Sequence, residues 1–272
     1  MFHFLFVYLL SNYCNVMIVE GVSFEDNVFK FDFSKDEKTD VIYVTQTFDN
    51  ISEINNNIYY FGYKFNENID GRIKSEFLKQ IKYKDLSTIS NEDYSLFIKK
   101  SVNELHKKVN LAKVDLIVYP ETKSPLVMDM LKYIYGFTAP TIKNIELVKN
   151  SIENIEFDYK NFNIFIDSSN LSRADKNVLK SNVENMMKDV KTNSYFSIAK
   201  SIKKPKYREY FKNFLIYKNK QDKEIIEAIE SDSNILIVDD INTSTTTIKE
   251  LIRNINLVND KTKKIIFTLI GK

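Results

Sequence analysis

The chain has 272 residues, of which 43% are apolar and 28% are charged, a composition typical of a globular protein with one large domain. Its formal net charge of +2 gives no basis for binding to nucleic acid or to a membrane surface. The single cysteine, Cys14, excludes a disulfide within the chain and a zinc–thiolate cluster. With only two histidines, a histidine-based metal site is not expected either, and we expect a cytoplasmic protein.

Residues 1–16 are rich in apolar side chains and resemble a secretory signal in that respect alone. No Lys or Arg precedes the apolar run, no small-residue cleavage site follows it, and it is shorter than a membrane span. A start at Met17 would leave a chain that opens on a plausible strand. We therefore interpret 1–16 as a buried or spurious N-terminal extension, and the alternative is a targeting segment.

Residues 17–110 are predicted to form a smaller, β-rich N-terminal hood that ends in helices. The predicted elements are strands at 27–33, 40–48 and 57–65 and helices at 70–83 and 91–110. Helical spacing places Ile73, Phe77 and Ile81 on one face, and Asn91 is a candidate cap. Aromatic side chains of 57–65 fit a core, and the alternative is a surface that stacks on a planar base.

Residues 111–272 alternate between strand and helix, the pattern of an α/β fold with a parallel sheet. The boundary near 110 is drawn on composition, since no linker marks it. The predicted elements are strands at 114–120, 162–167, 235–238 and 264–271, and helices at 126–136, after Ser172, at 223–232 and from 246. This region forms the predicted core domain.

The segment "NILIVDDINTSTTTIKELI", residues 234–252, carries the candidate site. Asp239 and Asp240, the acid pair, follow an apolar strand and precede a hydroxyl segment and a helix. Ligands of parallel sheets bind beyond the carboxyl ends of strands, and a helix N-terminus attracts anions. We therefore expect a sugar phosphate here, with hydroxyls on the carboxylates and phosphate on the hydroxyl segment. The members of that segment are Thr243, Ser244, Thr245, Thr246 and Thr247. The alternative is an ordinary capped helix in a structural or interaction protein.

"ILIVDDINTSTTTI" resembles the phosphoribosyl-pyrophosphate (PRPP) signature of type I phosphoribosyltransferases. The resemblance implies a phosphoribosyltransferase-like core in which Asp239 and Asp240 contact the ribose hydroxyls. It implies that the hydroxyl segment binds the 5′-phosphate. The sequence departs from the family at Thr245, where Gly is usual and would let the backbone approach a phosphate closely. Arg208 and Asn213, ahead of the signature, are similar to residues of the competence-protein-F-like branch.

Two further loops match the family by position. One joins the strand at 114–120 to the next helix and is the implied pyrophosphate site; its residues are Glu121, Thr122, Lys123 and Ser124. The other is the implied flexible loop that closes over the ligand and excludes water; its basic residues are Lys203, Lys204, Lys206 and Arg208. The plain alternatives are a polar turn and a solvated basic face.

The resemblance implies transfer of a phosphoribosyl group between PRPP and a nucleobase or similar small-molecule acceptor, with release of pyrophosphate, as in nucleotide salvage. Asp239, Asp240, Lys123 and Arg208 are the implied catalytic residues. Mg²⁺ is the implied cofactor, held mainly by oxygens of the ligand, with no protein metal ligands assigned. A non-catalytic PRPP or nucleotide sensor on the same fold is the alternative, and a homodimer is left open. No nucleic-acid or membrane partner is expected.

Overall fold

The computed structural model describes residues 22–25, 28–31, 42–44, 58–65, 70–85, 89–188, 208, 210–241 and 246–271. Within these residues the strands are β1 (Val22–Glu25), β2 (Val28–Phe31), β3 (Ile42–Val44), β4 (Ile58–Lys64), β5 (Leu116–Pro120), β6 (Lys143–Lys149), β7 (Glu156–Phe157), β8 (Phe211–Lys212), β9 (Leu215–Tyr217), β10 (Asn234–Ile241) and β11 (Lys263–Gly271). The helices are α1 (Gly71–Tyr83), α2 (Asn91–Lys108), α3 (Pro125–Tyr135), α4 (Tyr159–Ser168), α5 (Arg173–Lys188), α6 (Lys220–Glu227) and α7 (Thr246–Asn256).

The main sheet has seven strands in the order β3-β4-β11-β10-β5-β6-β9. Strands β4, β11, β10, β5 and β6 run parallel, while β3 and β9 are antiparallel at the two edges. Parallel strands need crossover connections, which the helices supply, and both faces of such a sheet become buried. The predicted α/β class with a mainly parallel sheet is therefore observed.

Helices cover both faces of the sheet and divide the apolar core into two clusters. On one face, α1, α2 and α3 pack over strand residues that include Ile117, Leu236 and Val238. On the other face, α4 to α7 pack over the alternate residues of the same strands, such as Ile235 and Ile237. Successive side chains of a strand point to opposite faces, so each strand supplies both clusters.

The N-terminal strand β4 lies inside the main sheet, paired in parallel with the C-terminal strand β11. Its aromatic side chains are buried in the core and do not form an exposed stacking surface. The buried residues are Tyr59, Tyr60, Phe61 and Tyr63 of the strand and Phe65 just after it. The hairpin of β1 and β2 is a separate two-stranded sheet. Phe29 of that hairpin contacts Phe77 of α1 with ring centroids 5.0 Å apart. A hood built from this region stays a prediction.

Several predicted elements are observed close to their expected bounds. Helix α1 begins after Asp70, whose side chain accepts a hydrogen bond from the backbone N–H of Arg72. Helix α3 ends with Gly136 as its C-cap. Helix α2 starts at Asn91 as expected, but the cap is Ser90, whose Oγ accepts from the N–H of Asp93. The expected cap at Asn91 is therefore wrong by one residue.

One predicted strand is wrong. Residues 162–167 lie in helix α4, which buries Phe162 and Ile166 and leaves Ile164 exposed. Asp158 caps this helix by accepting from the N–H of Asn161. The buried pair is spaced by four residues, so the period is helical, and a short apolar run does not distinguish the two structures. Strand β6 was not predicted at all.

Candidate functional site

The acid pair lies within β10 rather than after it. This strand is longer than predicted, and its residues from Ile235 to Asp240 are all buried. It is an inner strand, between β11 and β5. The strand ends at Ile241 and helix α7 begins at Thr246. The carboxylates and the helix start therefore share the carboxyl edge of the sheet, where ligands of parallel sheets bind.

The two carboxylates point to opposite faces of the sheet. Asp239 shares its face with Ile235 and Ile237, under α7, whereas Asp240 shares the face of Leu236 and Val238, under α1 and α3. Both are buried, with 8% of Asp239 and 3% of Asp240 exposed. A ligand that touches both carboxylates must therefore straddle the end of β10.

Asp240 is paired with a cation that the sequence analysis did not identify. Lys82 Nζ, from the last turn of α1, lies 2.7 Å from Asp240 Oδ2. Oδ1 of the same carboxylate accepts a hydrogen bond from the N–H of Ile241 at 2.7 Å. Among the described residues, Oδ2 makes its ion pair with Lys82 and no further hydrogen bond. The sequence offers no signal for this contact beyond the place of Lys82 at a helix end.

Burial and charge give the two aspartates different properties. Burial, and then the neighbouring charge of Asp240, raises the pKa of Asp239 from 3.8 to about 8. The N–H of Asp240, which donates to Asp239 Oδ1 at 2.9 Å, and Lys82 oppose that rise. Burial by itself would lower the pKa of Lys82, but the charge and hydrogen bond of Asp240 outweigh it and the pKa is raised. At neutral pH the cluster holds a neutral Asp239 beside an ion pair.

Lys82 also connects the acid pair to the candidate pyrophosphate loop. Its backbone carbonyl accepts a hydrogen bond from Ser124 Oγ at 2.5 Å. Ser124 is the N-cap of α3, where Oγ also accepts from the N–H of Leu126, and its own N–H donates to Thr122 Oγ1. The end of α1, the start of α3 and the end of β10 therefore meet at Lys82.

The residues of the candidate pyrophosphate loop differ in their exposure. Ser124 is buried and Thr122 is half-buried, and both take part in the turn described above. Glu121 and Lys123 are exposed, and the N–H of Glu121 donates to the carbonyl of Leu147 in β6. Lys123 is the basic residue of this loop, and its side chain is exposed to solvent. Whether it meets pyrophosphate stays a prediction.

The hydroxyl segment is described only in its last two residues. Thr246 is buried and Thr247 is half-buried in the first turn of α7. Thr243, Ser244 and Thr245 lie outside the described residues, as do Lys203, Lys204 and Lys206 of the implied flexible loop. Arg208 is half-buried, and burial lowers the pKa of its guanidinium.

Asn213, compared above with the competence-protein-F-like branch, is a turn residue of the sheet edge. It has a positive φ of 61° between β8 and β9, a conformation that Asn tolerates better than most residues. Its Nδ2 donates to Glu156 Oε1 at 2.6 Å, and its carbonyl accepts from Asn150 Nδ2 at 2.8 Å. Because β5 and β6 separate β9 from β10, this residue supports the edge rather than the acid pair.

A second polar cluster joins α2 and α3 near Lys82. Tyr94 donates its hydroxyl to Asp129 Oδ2 at 3.2 Å, and Lys132 Nζ lies 2.6 Å from Asp129 Oδ1. Lys84 Nζ is 3.9 Å from Asp129 Oδ2 and 5.0 Å from the centroid of the Tyr94 ring. Burial and the charge of Asp129 raise the pKa of Tyr94. This cluster fixes the end of α1 against its neighbours.

The acid pair does not fit a divalent cation in this arrangement. A hard cation needs several oxygen ligands, and the described residues hold no group of three or more His, Cys, Asp or Glu that could share one. At Asp240 the ammonium of Lys82 occupies the position of a counter-ion. An Mg²⁺ ion carried by the oxygens of a ligand, as the resemblance implies, stays a prediction.

Comparison with known proteins finds similarity in structure but not in sequence families. No family model matches the chain, and no curated protein matches it. A solved structure of a hypoxanthine phosphoribosyltransferase from Staphylococcus aureus is similar over 65% of this chain, with a TM-score of 0.31 and 14% sequence identity. The match spans 62% of the S. aureus chain. Separately, no helix among the described residues combines the length and apolarity needed to cross a membrane.

Proposed function

We propose that this protein binds PRPP and transfers its phosphoribosyl group to a small-molecule acceptor. One observation carries the proposal: two buried aspartates lie at the carboxyl end of an inner parallel strand, and α7 begins at Thr246, six residues after Asp240. The exposed N–H groups of a helix start favour a phosphate, and carboxylates favour the hydroxyls of a sugar. The resemblance of residues 235–248 to the PRPP signature supports the same ligand.

In the proposed complex, the 5′-phosphate contacts the hydroxyl segment and the ribose hydroxyls contact the acid pair. Asp239 and Asp240 face different sides of β10, so the ribose lies across the strand end and reaches both. Asp240 accepts from one hydroxyl beside its ion pair with Lys82. Asp239, with its raised pKa, is protonated at neutral pH and can also donate a hydrogen bond.

The proposed reaction joins a nucleophilic atom of the acceptor to C1 of the ribose. The bond between C1 and the pyrophosphate oxygen breaks, and pyrophosphate leaves with that electron pair. Lys123, exposed in the loop before α3, is proposed to stabilise negative charge as it develops on the leaving group. Arg208 and the basic residues Lys203, Lys204 and Lys206 are proposed to close over the ligand and exclude water.

Ligand binding tests this proposal directly. PRPP at about 100 times its dissociation constant should stabilise the native protein by roughly 2.7 kcal/mol, which a thermal shift detects. Asp240→Asn should weaken binding at least tenfold, or about 1.4 kcal/mol, since the ribose loses an ionised acceptor. Asp115→Asn is the matched control, because Asp115 accepts from the N–H of Asn234 at the opposite end of β10. Absence of any shift with PRPP or ribose 5-phosphate would reject the proposal.

A sensor that binds PRPP without turnover is the second candidate. Ser124, the hydroxyl of the candidate pyrophosphate loop, already donates to Lys82 and caps α3, so it is committed to the fold. Thr245 also replaces the usual Gly of the signature. Pyrophosphate release in the presence of purine and pyrimidine bases separates the candidates: release identifies a transferase, and binding without release identifies a sensor.

A further inference from the structure

Lys82 is the residue of the site that neither composition nor motif indicated. It comes from α1, well outside the signature, yet its ammonium lies 2.7 Å from the second aspartate of the signature. Of its side chain 35% is exposed, whereas Asp240 is almost fully covered. The ammonium therefore bridges a buried carboxylate and the surface from which a ligand would arrive.

The position of Lys82 is fixed by its backbone. Ser124 Oγ donates a hydrogen bond to its backbone carbonyl. Two residues later, Lys84 is the C-cap of α1, in a left-handed conformation with φ of 54°. The N–H of Lys84 donates to the carbonyls of Gln80 and Ile81, which completes the helix end. The negative end of the helix dipole at this point favours a cation. The helix end thus fixes the backbone of Lys82, and the ion pair with Asp240 positions its ammonium.

An ammonium has three N–H donors and no acceptor. Asp240 Oδ2, 2.7 Å away, is the one ion-pair partner of this ammonium among the described residues, so donors are left for oxygens of a sugar or a phosphate. The positive charge of Lys82 also offsets the negative charge of Asp240. This reduces the repulsion that an anionic ligand would otherwise meet at a pair of carboxylates. Both tasks are those that a bound divalent cation performs at acidic sites for phosphorylated ligands.

We propose that Lys82 is the built-in counter-ion of the acid pair, contacts oxygens of the bound ribose phosphate, and takes the place of a divalent cation at these carboxylates. This inference rests on the proposed function, since it names how the same site accepts its ligand. Binding of the ribose phosphate to this site then does not require a metal ion.

Calorimetric titration of ribose 5-phosphate and PRPP in EDTA and in Mg²⁺ tests the ligand side. The dissociation constant of the wild-type protein for ribose 5-phosphate should agree within about threefold in the two buffers. Lys82→Met should weaken binding at least tenfold in EDTA and recover part of that loss in Mg²⁺. Lys82→Arg should bind like the wild type. Lys79→Met, one turn earlier on α1, is the matched control, because Lys79 is 68% exposed and pairs only with Glu76 in the described residues.

The fold of each variant is checked separately. Lys82→Met leaves a buried carboxylate without its counter-ion, so the double variant Lys82→Met with Asp240→Asn removes both charges and should restore thermal stability. Its binding is compared with that of Asp240→Asn alone, so that only the loss of Lys82 is measured. A double variant that is stable but binds ribose 5-phosphate at least tenfold more weakly in EDTA than Asp240→Asn supports the proposal. A double variant that binds as tightly as Asp240→Asn contradicts it.

Binding of Mn²⁺ followed by electron paramagnetic resonance tests the counter-ion without any sugar phosphate. We expect no Mn²⁺ at the acid pair of the wild-type protein, and a new site in Lys82→Met that Asp240→Asn abolishes. A site in the wild-type protein that disappears in Asp240→Asn overturns the inference, even if PRPP binds. If the wild-type protein does not bind PRPP, the proposed function is rejected. The Mn²⁺ result then still decides whether Lys82 is the counter-ion of the acid pair.

Discussion

Two neighbouring residues of the same type, Asp239 and Asp240, are placed in different electrostatic surroundings. The strand turns their side chains to opposite faces, so only Asp240 reaches Lys82. Asp239 is left with burial and a negative neighbour, both of which favour its protonated form. The pair therefore carries a single negative charge near neutral pH, and that charge is balanced by Lys82.

Asp239→Asn should change the pH dependence of stability. The pKa of this carboxyl is about 8 in the folded protein and near 3.8 in the unfolded chain. Between these values the folded protein keeps a proton that the unfolded chain has released, so the free energy of unfolding falls as pH rises. The variant lacks this titration, so it should be more stable than the wild type at neutral pH and vary less with pH.

Urea denaturation of both proteins from about pH 5 to about pH 8 measures this difference. The advantage of the variant should grow with pH across that interval. Curves that run parallel would mean that Asp239 is ionised in the folded protein throughout, and that the proposed hydrogen-bond donor at this position is absent.

At the scale of elements, the contact of α2 with β4 depends on the small size of one residue. Gly62 of β4 faces Ser101 of α2, and a Cβ atom at this position would meet Ser101 Oγ and lie 2.8 Å from the carbonyl oxygen of Leu269. The helix therefore lies closer to the sheet than a side chain would permit. Tyr63 Oη donates to the carbonyl of Phe97 at 2.8 Å, and their rings stack 3.8 Å apart, which fixes the same contact.

Gly62→Ala should destabilise the protein by about 1–3 kcal/mol, because the added methyl group forces α2 and β4 apart. Gly71→Ala is the matched control, since a Cβ at the first residue of α1 meets nothing within 4 Å. That variant should be neutral or more stable by up to about 1 kcal/mol. Chemical denaturation compares the two. Equal stabilities of the two variants would show that α2 can move away from β4 without cost.

The elements best predicted from the sequence are those in which periodicity and end signals agree. Helices α1 and α3 have an amphipathic spacing and a capping residue at one end, and their observed bounds follow these signals. In residues 162–167 no end signal was combined with the apolar pattern. A short, mainly apolar run of six residues fits a strand or a turn of helix equally well. The deciding feature was Asp158, the cap that precedes α4.

The strand-to-helix junction of the candidate site was predicted by the same reasoning, but its counter-ion was not. Strand β10 and helix α7 are encoded locally, in residues 234–256. The contact between Asp240 and Lys82 joins residues far apart in the chain. The chain has 39 Lys and Arg residues, and the sequence does not indicate which of them pairs with Asp240. Charge pairing of this kind is set by the packing of α1 on the sheet, which no local pattern contains.

At the scale of the whole molecule, the edge strand β9 is attached to the sheet and to α7 by a polar network. Asn254 Nδ2 donates to the carbonyl of Leu215 at 3.1 Å, and Tyr217 Oη donates to the carbonyl of Asn254 at 2.7 Å. Glu250 is buried beside them and forms a two-point ion pair with Arg253. The inner strands are covered on both faces, whereas β9 depends on these contacts.

Asn254→Ala should loosen β9 without opening the centre of the sheet. Loss of the buried hydrogen bond to Leu215 removes about 1–3 kcal/mol of local stability, so the amides of residues 215–217 should exchange with solvent roughly tenfold faster or more. The amides of β10 and β11 should exchange as in the wild-type protein. Hydrogen exchange followed by mass spectrometry measures both regions. Faster exchange in β10 would show that the edge and the centre open together.

The pairing of β4 with β11 sets the order in which the molecule can be assembled. Residues 58–64 are synthesised well before residues 263–271, their parallel partner in the sheet. Until that partner emerges, β3 is the one described neighbour that β4 can pair with, and contacts so distant in sequence slow folding. A nascent chain stalled before residue 263 should bind holding chaperones, and release from them should coincide with the emergence of β11.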